Sequence, residues 1–233
     1  MPAPTLFIAN RNYSSWSLRP WVLMRELGIV FGETLVPFGS HGEPNAFRAF
    51  SPTGKVPCLV DGDTVVWDSL AITEYLAEAE PAVWPGDRSA RAWARCAAAE
   101  MHSGFPTVRD ICTMNCGLRV RIDTFPEALR LEWQRVDALW SEGLSRFGGP
   151  FLAGERFTAV DAFYAPVAFR AQTYGPPLSS QARGYVDRLL ALPSMREWYD
   201  AALQEPWREQ AHEAEARHAG AWLQDLRQAS GPD

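Results

Sequence analysis

Apolar and polar residues follow two periods along this chain, and the switch between them divides it. Thr5-Leu6-Phe7-Ile8-Ala9 is a short apolar run that reads as a buried strand. Leu18, Trp21, Val22 and Leu27 then fall at helical spacing, with Gly28 as a C-terminal stop. Pro20 is tolerated only near a helix start, so this helix is predicted to begin around Ser17. Residues 30–37 read as a second strand and 40–45 as a loop. Cys58-Leu59-Val60 and Thr64-Val65-Val66-Trp67 flank Asp61-Gly62, a two-residue hairpin signal. Asp68-Ser69 is an N-cap signature ahead of Leu70, Ala71, Ile72, Tyr75 and Leu76, which predicts a helix over 69–79. The order β-α-β-loop-β-β-α implies a four-stranded mixed sheet with helices packed on it.

The composition shifts across Glu80-Pro81-Ala82-Val83-Trp84-Pro85-Gly86-Asp87. Three regions follow: a domain over 1–80, a linker over 81–88 and a helical domain over 89–233. No strand is predicted beyond the linker. Helical periodicity runs over 89–116, 126–147, 158–174, 180–191 and 193–205, and Pro106 should bend or split the first of these. Thr158 with Asp161 three residues on fits a variant capping box. From Glu205 onward the chain is charged and reads as a frayed tail.

Charge narrows the class of partner. Among 233 residues, 22 Lys and Arg stand against 28 Asp and Glu, a net charge of −6 with no basic run, which argues against nucleic acid and anionic membranes. Ten Trp residues suggest aromatic-lined interiors or interfaces. The start of the chain lacks the basic and long apolar regions of a signal peptide, and no stretch reaches membrane-spanning length. Cys58, Cys96, Cys112 and Cys116 form no paired motif and no cluster with His, so no metal is expected and a reducing cytoplasm fits best.

The candidate chemistry gathers between residues 54 and 75. Pro57 has no N–H to give, which leaves the neighbouring Val56 main chain free to bond something else. An extended backbone edge beside a helix N-terminus suits a peptide-like anion.

Four features together resemble the soluble glutathione transferases over nearly the whole chain. They are the turn Tyr13-Ser14-Ser15-Trp16-Ser17, the Val56-Pro57 step, Asp68-Ser69-Leu70-Ala71-Ile72, and Phe157-Thr158-x-x-Asp161. The resemblance implies a thioredoxin-like N-terminal domain and an all-helical C-terminal domain, with glutathione as cosubstrate and a homodimeric assembly. The Ser-Ser-x-Ser-x-Arg turn is similar to the zeta class, which includes maleylacetoacetate isomerases. Trp16 stands where zeta proteins usually carry Cys, and Pro20 is also unlike them, which points to bacterial members outside the well-studied classes.

Glutathione brings its own nucleophile, a thiol with a free pKa of about 8.5. Lowering that value by ~2 units takes about 2.7 kcal/mol of preferential thiolate stabilisation. One hydroxyl hydrogen bond to an anion supplies roughly 1.5–3 kcal/mol, and a helix N-terminus adds about 0.3–1 kcal/mol. No histidine base is required. By the resemblance Ser14 is the donor; Ser15 could serve with a small shift of register, Tyr13 is a rival, and Ser17 is the expected helix cap.

By the same resemblance Val56 bonds the cysteinyl backbone of glutathione beside a cis Pro57, Ser69 binds the γ-glutamyl carboxylate, and Asp68 accepts from its ammonium. Lys55 and His41 are candidates for the glycyl carboxylate. The electrophile site should lie between the domains, with Tyr13, His102, Phe105, Arg109, Arg170 and Tyr174 as candidates; Met101 and Tyr164 share their spacing. Two arginines beside a pocket would favour an acidic substrate. Cys58 reads as core. The implied activity is conjugation of glutathione to a small electrophile. The alternatives are cis–trans isomerisation of an unsaturated acid and a non-catalytic binding module.

Overall fold

In a computed structural model, residues 3–39 and 46–227 are described; His41 lies outside them. Four strands form the first sheet: β1 (Thr5–Ile8), β2 (Gly32–Leu35), β3 (Cys58–Asp61) and β4 (Thr64–Trp67), in the order β2-β1-β3-β4. β1 runs parallel to β2, with Thr5 opposite Gly32, and antiparallel to β3, with Phe7 opposite Cys58. The sheet is therefore mixed. α1 (Ser15–Glu26) crosses from β1 to β2, and α2 (Ser69–Ala79) leaves β4 to pack on α1.

The hairpin is offset by one residue from its expected position. Asp61 pairs with Thr64, so the loop is Gly62-Asp63, and of these only Gly62 takes a positive φ, +58°. Glycine at the first loop position alone suits a type II′ turn rather than type I′. α1 also starts earlier than Ser17. Ser14 is its N-cap, accepting from the Ser17 N–H at 3.4 Å. Ser17 instead accepts the Ala9 N–H at 3.2 Å and ties the helix start to the end of β1.

A second region is mostly helical: α3 (Arg88–Ser103), α4 (Pro106–Ile111), α5 (Glu127–Phe147), α6 (Ala159–Tyr174), α7 (Ser180–Ala191), α8 (Pro193–Gln204) and α9 (Gln210–Ala219). Pro106 splits the 89–116 segment, with Phe105 at φ 56° between the two helices. α6 is apolar on all sides because it is the hub, packed by α1, α3 and α7. Its first turn is fixed by the Thr158–Asp161 capping box. The buried Asp161 carboxylate also accepts from Leu152 N–H at 3.0 Å and Tyr185 Oη at 2.8 Å.

Two expectations for this region fail. β5 (Leu118–Arg121) pairs antiparallel with β6 (Ala221–Asp225), a sheet whose strands lie a hundred residues apart in sequence. The tail beyond Glu205 is accordingly folded as far as Arg227. Several of its charges are partnered: Arg227 pairs with Glu213 at 2.5 and 2.9 Å and with Asp225 at 2.6 Å. No helix among the described residues is long and apolar enough to cross a membrane.

Candidate functional site

The Asn10–Ser14 turn that follows β1 is held from below by the helical region. Glu205 accepts the main-chain N–H groups of Arg11 and Asn12 at 2.7 and 3.3 Å. Trp198 Nε1 donates to Arg11 O at 2.9 Å, and the Asn12 side chain bonds Asn115 and the Gly117 N–H. Burial pushes the Glu205 carboxyl up to about 7 against the pull of those amides and of Arg11. This cradle fixes where α1 begins.

Above the turn lies a cavity of about 420 Å³, lined by Tyr13, Ser14, Ser15, Trp16, Arg109 and Arg170 on one side and by Phe38, Phe47, Lys55, Val56 and the α9 residues His212 and Glu215 on others. A second hollow of about 440 Å³ adjoins it through shared Trp16, Lys55 and Val56, and reaches Pro57, Trp67, Asp68 and Ser69. Together they run from the α2 N-terminus past the α1 N-terminus to α9.

At the α2 end, the Val56–Pro57 bond is cis. No hydrogen bond from another described residue reaches the Val56 main chain. Asp68 holds φ 73° and ψ 137°, a conformation foreign to a non-glycine residue and of a kind that costs about 1–3 kcal/mol. It is sustained by the cap it makes: Asp68 Oδ1 accepts Leu70 N–H at 2.8 Å and Ala71 N–H at 3.5 Å. Ser69 is buried, and its Oγ accepts from Arg19 Nη1 at 3.4 Å. Arg19 is itself buried, its Nε has no partner, and its guanidinium lies over the rings of Trp16 (4.1 Å) and Phe163 (4.9 Å). Burial, then the nearby Arg109 and Arg170, drive its pKa well down from the usual value.

At the α1 end the two serines differ. Ser14 Oγ donates to Ser17 Oγ at 2.7 Å while capping the helix. Ser15 Oγ accepts from Arg170 Nη2 at 3.3 Å, and its own hydrogen has no acceptor among the described residues. Arg170 also donates to Cys112 O, and its Nε is unpartnered. Burial lowers its pKa to about 10 against the longer-range pull of Glu215, so it remains a cation at neutral pH, with no direct ion pair among the described residues. Lys55, Arg109 and Arg170 against Asp68 and Glu215 leave the lining of the two hollows net positive although the protein is acidic.

The expected electrophile residues separate. Arg109 and Arg170 line the cavity, but Arg109 spends its guanidinium on the carbonyls of Met101, His102 and Gly104, which the helix break leaves open. His102 lies beside α2 instead, with Nε2 3.5 Å from Asp68 Oδ2 and its ring edge-on to Trp16. Phe105 is the buried joint between α3 and α4, and Tyr174 sits behind Thr113, 3.4 Å from its hydroxyl. Tyr13 lines the cavity, but its hydroxyl donates to Glu213 at 2.7 Å, and burial first, then Glu213, raise its pKa far above the usual phenol range. Met101 is buried, and Tyr164 Oη donates to Ala97 O at 3.2 Å. Phe38, Phe47, Thr113, Met114, His212 and Glu215 were not legible as lining residues, because they come from loops and a tail whose placement depends on tertiary contacts. Among the described residues no group of His, Cys, Asp and Glu could hold a metal.

A thioredoxin-like sheet with a cis proline, followed by a mostly helical region that closes a cleft against it, defines a class. The chain belongs to the soluble glutathione S-transferase superfamily. The family model for the glutathione S-transferase N-terminal domain matches residues 13–79 and that for the C-terminal domain matches 126–201, together more than half of the chain. Similar proteins include glutathione S-transferase 3 of Zea mays, 27% identical over 81% of this chain and 85% of that one. A probable maleylacetoacetate isomerase 2 of Drosophila melanogaster is 24% identical over 73% of this chain and 75% of that one. Among solved structures, a glutathione transferase homologue from Burkholderia GL BGR1 with bound glutathione superposes with a TM-score of 0.63 at 25% identity, covering 86% and 98% of the two chains.

Proposed function

We propose that this protein binds glutathione along the two joined hollows and presents its sulfur as a thiolate to a small electrophile. The donor set suits a γ-glutamyl thiol peptide. Val56 offers an unpaired main chain to the cysteinyl unit, and the α2 N-terminus with Ser69 and the unneutralised Arg19 offers a place for the γ-glutamyl carboxylate. Asp68 Oδ2 can accept from the ammonium, and Lys55, at the junction of the hollows, can meet the glycyl carboxylate.

The observation that carries the reading is the Arg170–Ser15 pair at the α1 N-terminus. Ser15 has a free hydroxyl hydrogen polarised by a buried cation, whereas Ser14 is engaged as the cap. This favours Ser15 as the thiolate partner over Ser14, with Ser14 holding the turn. The same cation supports a second reading, isomerisation of an unsaturated acid, in which glutathione is regenerated. Absorbance of bound glutathione near neutral pH should show a thiolate band, and glutathione should be consumed in proportion to electrophile turned over. Turnover of an unsaturated acid with no loss of glutathione selects the isomerase. Binding without turnover across a broad electrophile panel leaves a non-catalytic module.

We also infer a homodimer in a cytoplasmic setting. Exposed Val65 and Trp67 with Leu70 and Ala71 make an apolar strip on β4 and α2. Sedimentation should give a dimer that Val65→Glu dissociates; a wild-type monomer at micromolar concentration would sink this part.

A further inference from the structure

The charged tail closes over the electrophile cavity and brings to it a histidine that no local pattern in the sequence marks. His212 sits in the first turn of α9, with Nδ1 2.7 Å from Oε2 of Glu209, the oxygen that also accepts the His212 main-chain N–H at 2.8 Å. Burial alone would raise the Glu209 carboxyl, but the bonds from His212 hold it below its ordinary value, so it is ionised. A carboxylate only accepts. Nδ1 therefore carries the hydrogen of the neutral ring, and Nε2 is left with a free lone pair.

No hydrogen bond from a described residue reaches that Nε2. The imidazole plane is fixed by stacking on Tyr13, 5.0 Å between centroids, and on Phe38, 5.2 Å. Its side chain lines the same cavity as Ser14, Ser15 and Arg170. The charged and titratable groups around it are Glu209, Glu213 and Glu215 on α9, Arg227 beyond Glu213, Tyr13 on the serine turn, and Lys55, Arg109 and Arg170 on the cavity walls. Tyr13 is engaged with Glu213, so of these two stacked rings it is His212 that has an atom left to take a proton.

We propose that His212, held in one tautomer by Glu209, carries the proton of the reaction. This rests on the glutathione-thiolate reading above. Nε2 takes the thiol proton while the S–H bonding pair stays on sulfur. The sulfur attacks the β-carbon of an α,β-unsaturated carbonyl acceptor; the C–S bond forms and the π pair moves toward the carbonyl. The imidazolium then returns the proton to the α-carbon, and the ring is neutral again. Thiol plus acceptor gives thioether, with no other reactant. An imidazole with one nitrogen held as donor and the other open can take and return a proton within one turnover.

The test is a proton inventory. Glutathione binding is titrated calorimetrically near pH 7.5 in two buffers of different ionisation heat, with S-methylglutathione as the control that has no thiol proton. Wild type should release fewer protons for each thiolate formed than His212→Phe, which keeps the ring stack and should release about one. kcat/KM for the acceptor should fall roughly 100-fold with the acidic limb of its pH profile lost, and Glu209→Gln should fall between the two. His212→Gln, a smaller change at the same contact with Glu209, should repeat the loss if the Phe variant folds poorly. Equal proton release and an unchanged pH profile in both variants would overturn the proposal and leave His212 as packing. A wild type that binds glutathione but forms no thiolate band would overturn this proposal and the thiolate reading together.

Discussion

Removing one oxygen from Ser15 should change the chemistry of the bound thiol, and removing one from Ser14 should change the stability of the fold. The structure separates the two. Ser15 Oγ accepts from the Arg170 cation and has a hydrogen to give, while Ser14 Oγ closes the α1 cap through Ser17. A hydroxyl donating to an anion contributes about 1.5–3 kcal/mol, so Ser15→Ala should raise the pKa of bound glutathione by roughly 1–2 units. If the wild-type complex titrates about two units below the free thiol, the thiolate fraction near pH 6.5 should fall by roughly five- to fiftyfold in the variant. Ser14→Ala loses a helix cap, about 1 kcal/mol, which in a chain of this size lowers Tm by roughly 2–4 °C. The assay is a pH titration of the thiolate absorbance of each complex at saturating glutathione, beside thermal unfolding. A thiol pKa that moves in Ser14→Ala and stays put in Ser15→Ala would refute the division of labour.

Three further outcomes follow from the same geometry. Arg170→Gln removes an unneutralised buried cation next to Ser15; the bound thiol pKa should rise by about a unit or more, and KM for a carboxylate-bearing acceptor should rise more than for its methyl ester. Glu205 has a folded pKa of about 7 against 4.5, so the native state holds its proton more tightly than the unfolded chain. Its favourable contribution is therefore complete below pH 4.5 and lost as pH rises to 7, a change of about 3 kcal/mol that denaturant titrations should show in wild type and not in Glu205→Gln. Asp161→Ala leaves the Leu152 and Thr158 N–H groups and the Tyr185 hydroxyl buried without their acceptor, and should cost about 3–5 kcal/mol of unfolding free energy; less than 1 kcal/mol would show that the capping box is dispensable.

What could be read from the sequence was local. The individual strands of the sheet, the hairpin, the start of α2 and the Thr158–Asp161 box are each marked by residues a few positions apart, and each stands in the structure close to where the pattern puts it. The elements that escaped depend on partners far along the chain. Ala221–Asp225 is a strand only because Leu118–Arg121 lies beside it, and α9 is anchored by Tyr13 and Arg227. The arginines show the same limit from another side. Helical spacing brought Arg109 to the cavity, but the break at Phe105-Pro106 opened carbonyls that took its guanidinium; Arg170 met fewer acceptors and was left with charge to offer. Spacing says which face a side chain occupies, and not what it will find there.

The central claim is that the cis-proline edge and the α2 N-terminus hold glutathione. Isothermal titration of the wild type beside Ser69→Ala tests it most directly. The account predicts saturable one-site binding to the wild type, weakened at least tenfold by the substitution, a loss of about 1.4 kcal/mol or more. Absence of binding to the wild type, or equal binding to both proteins, would contradict it.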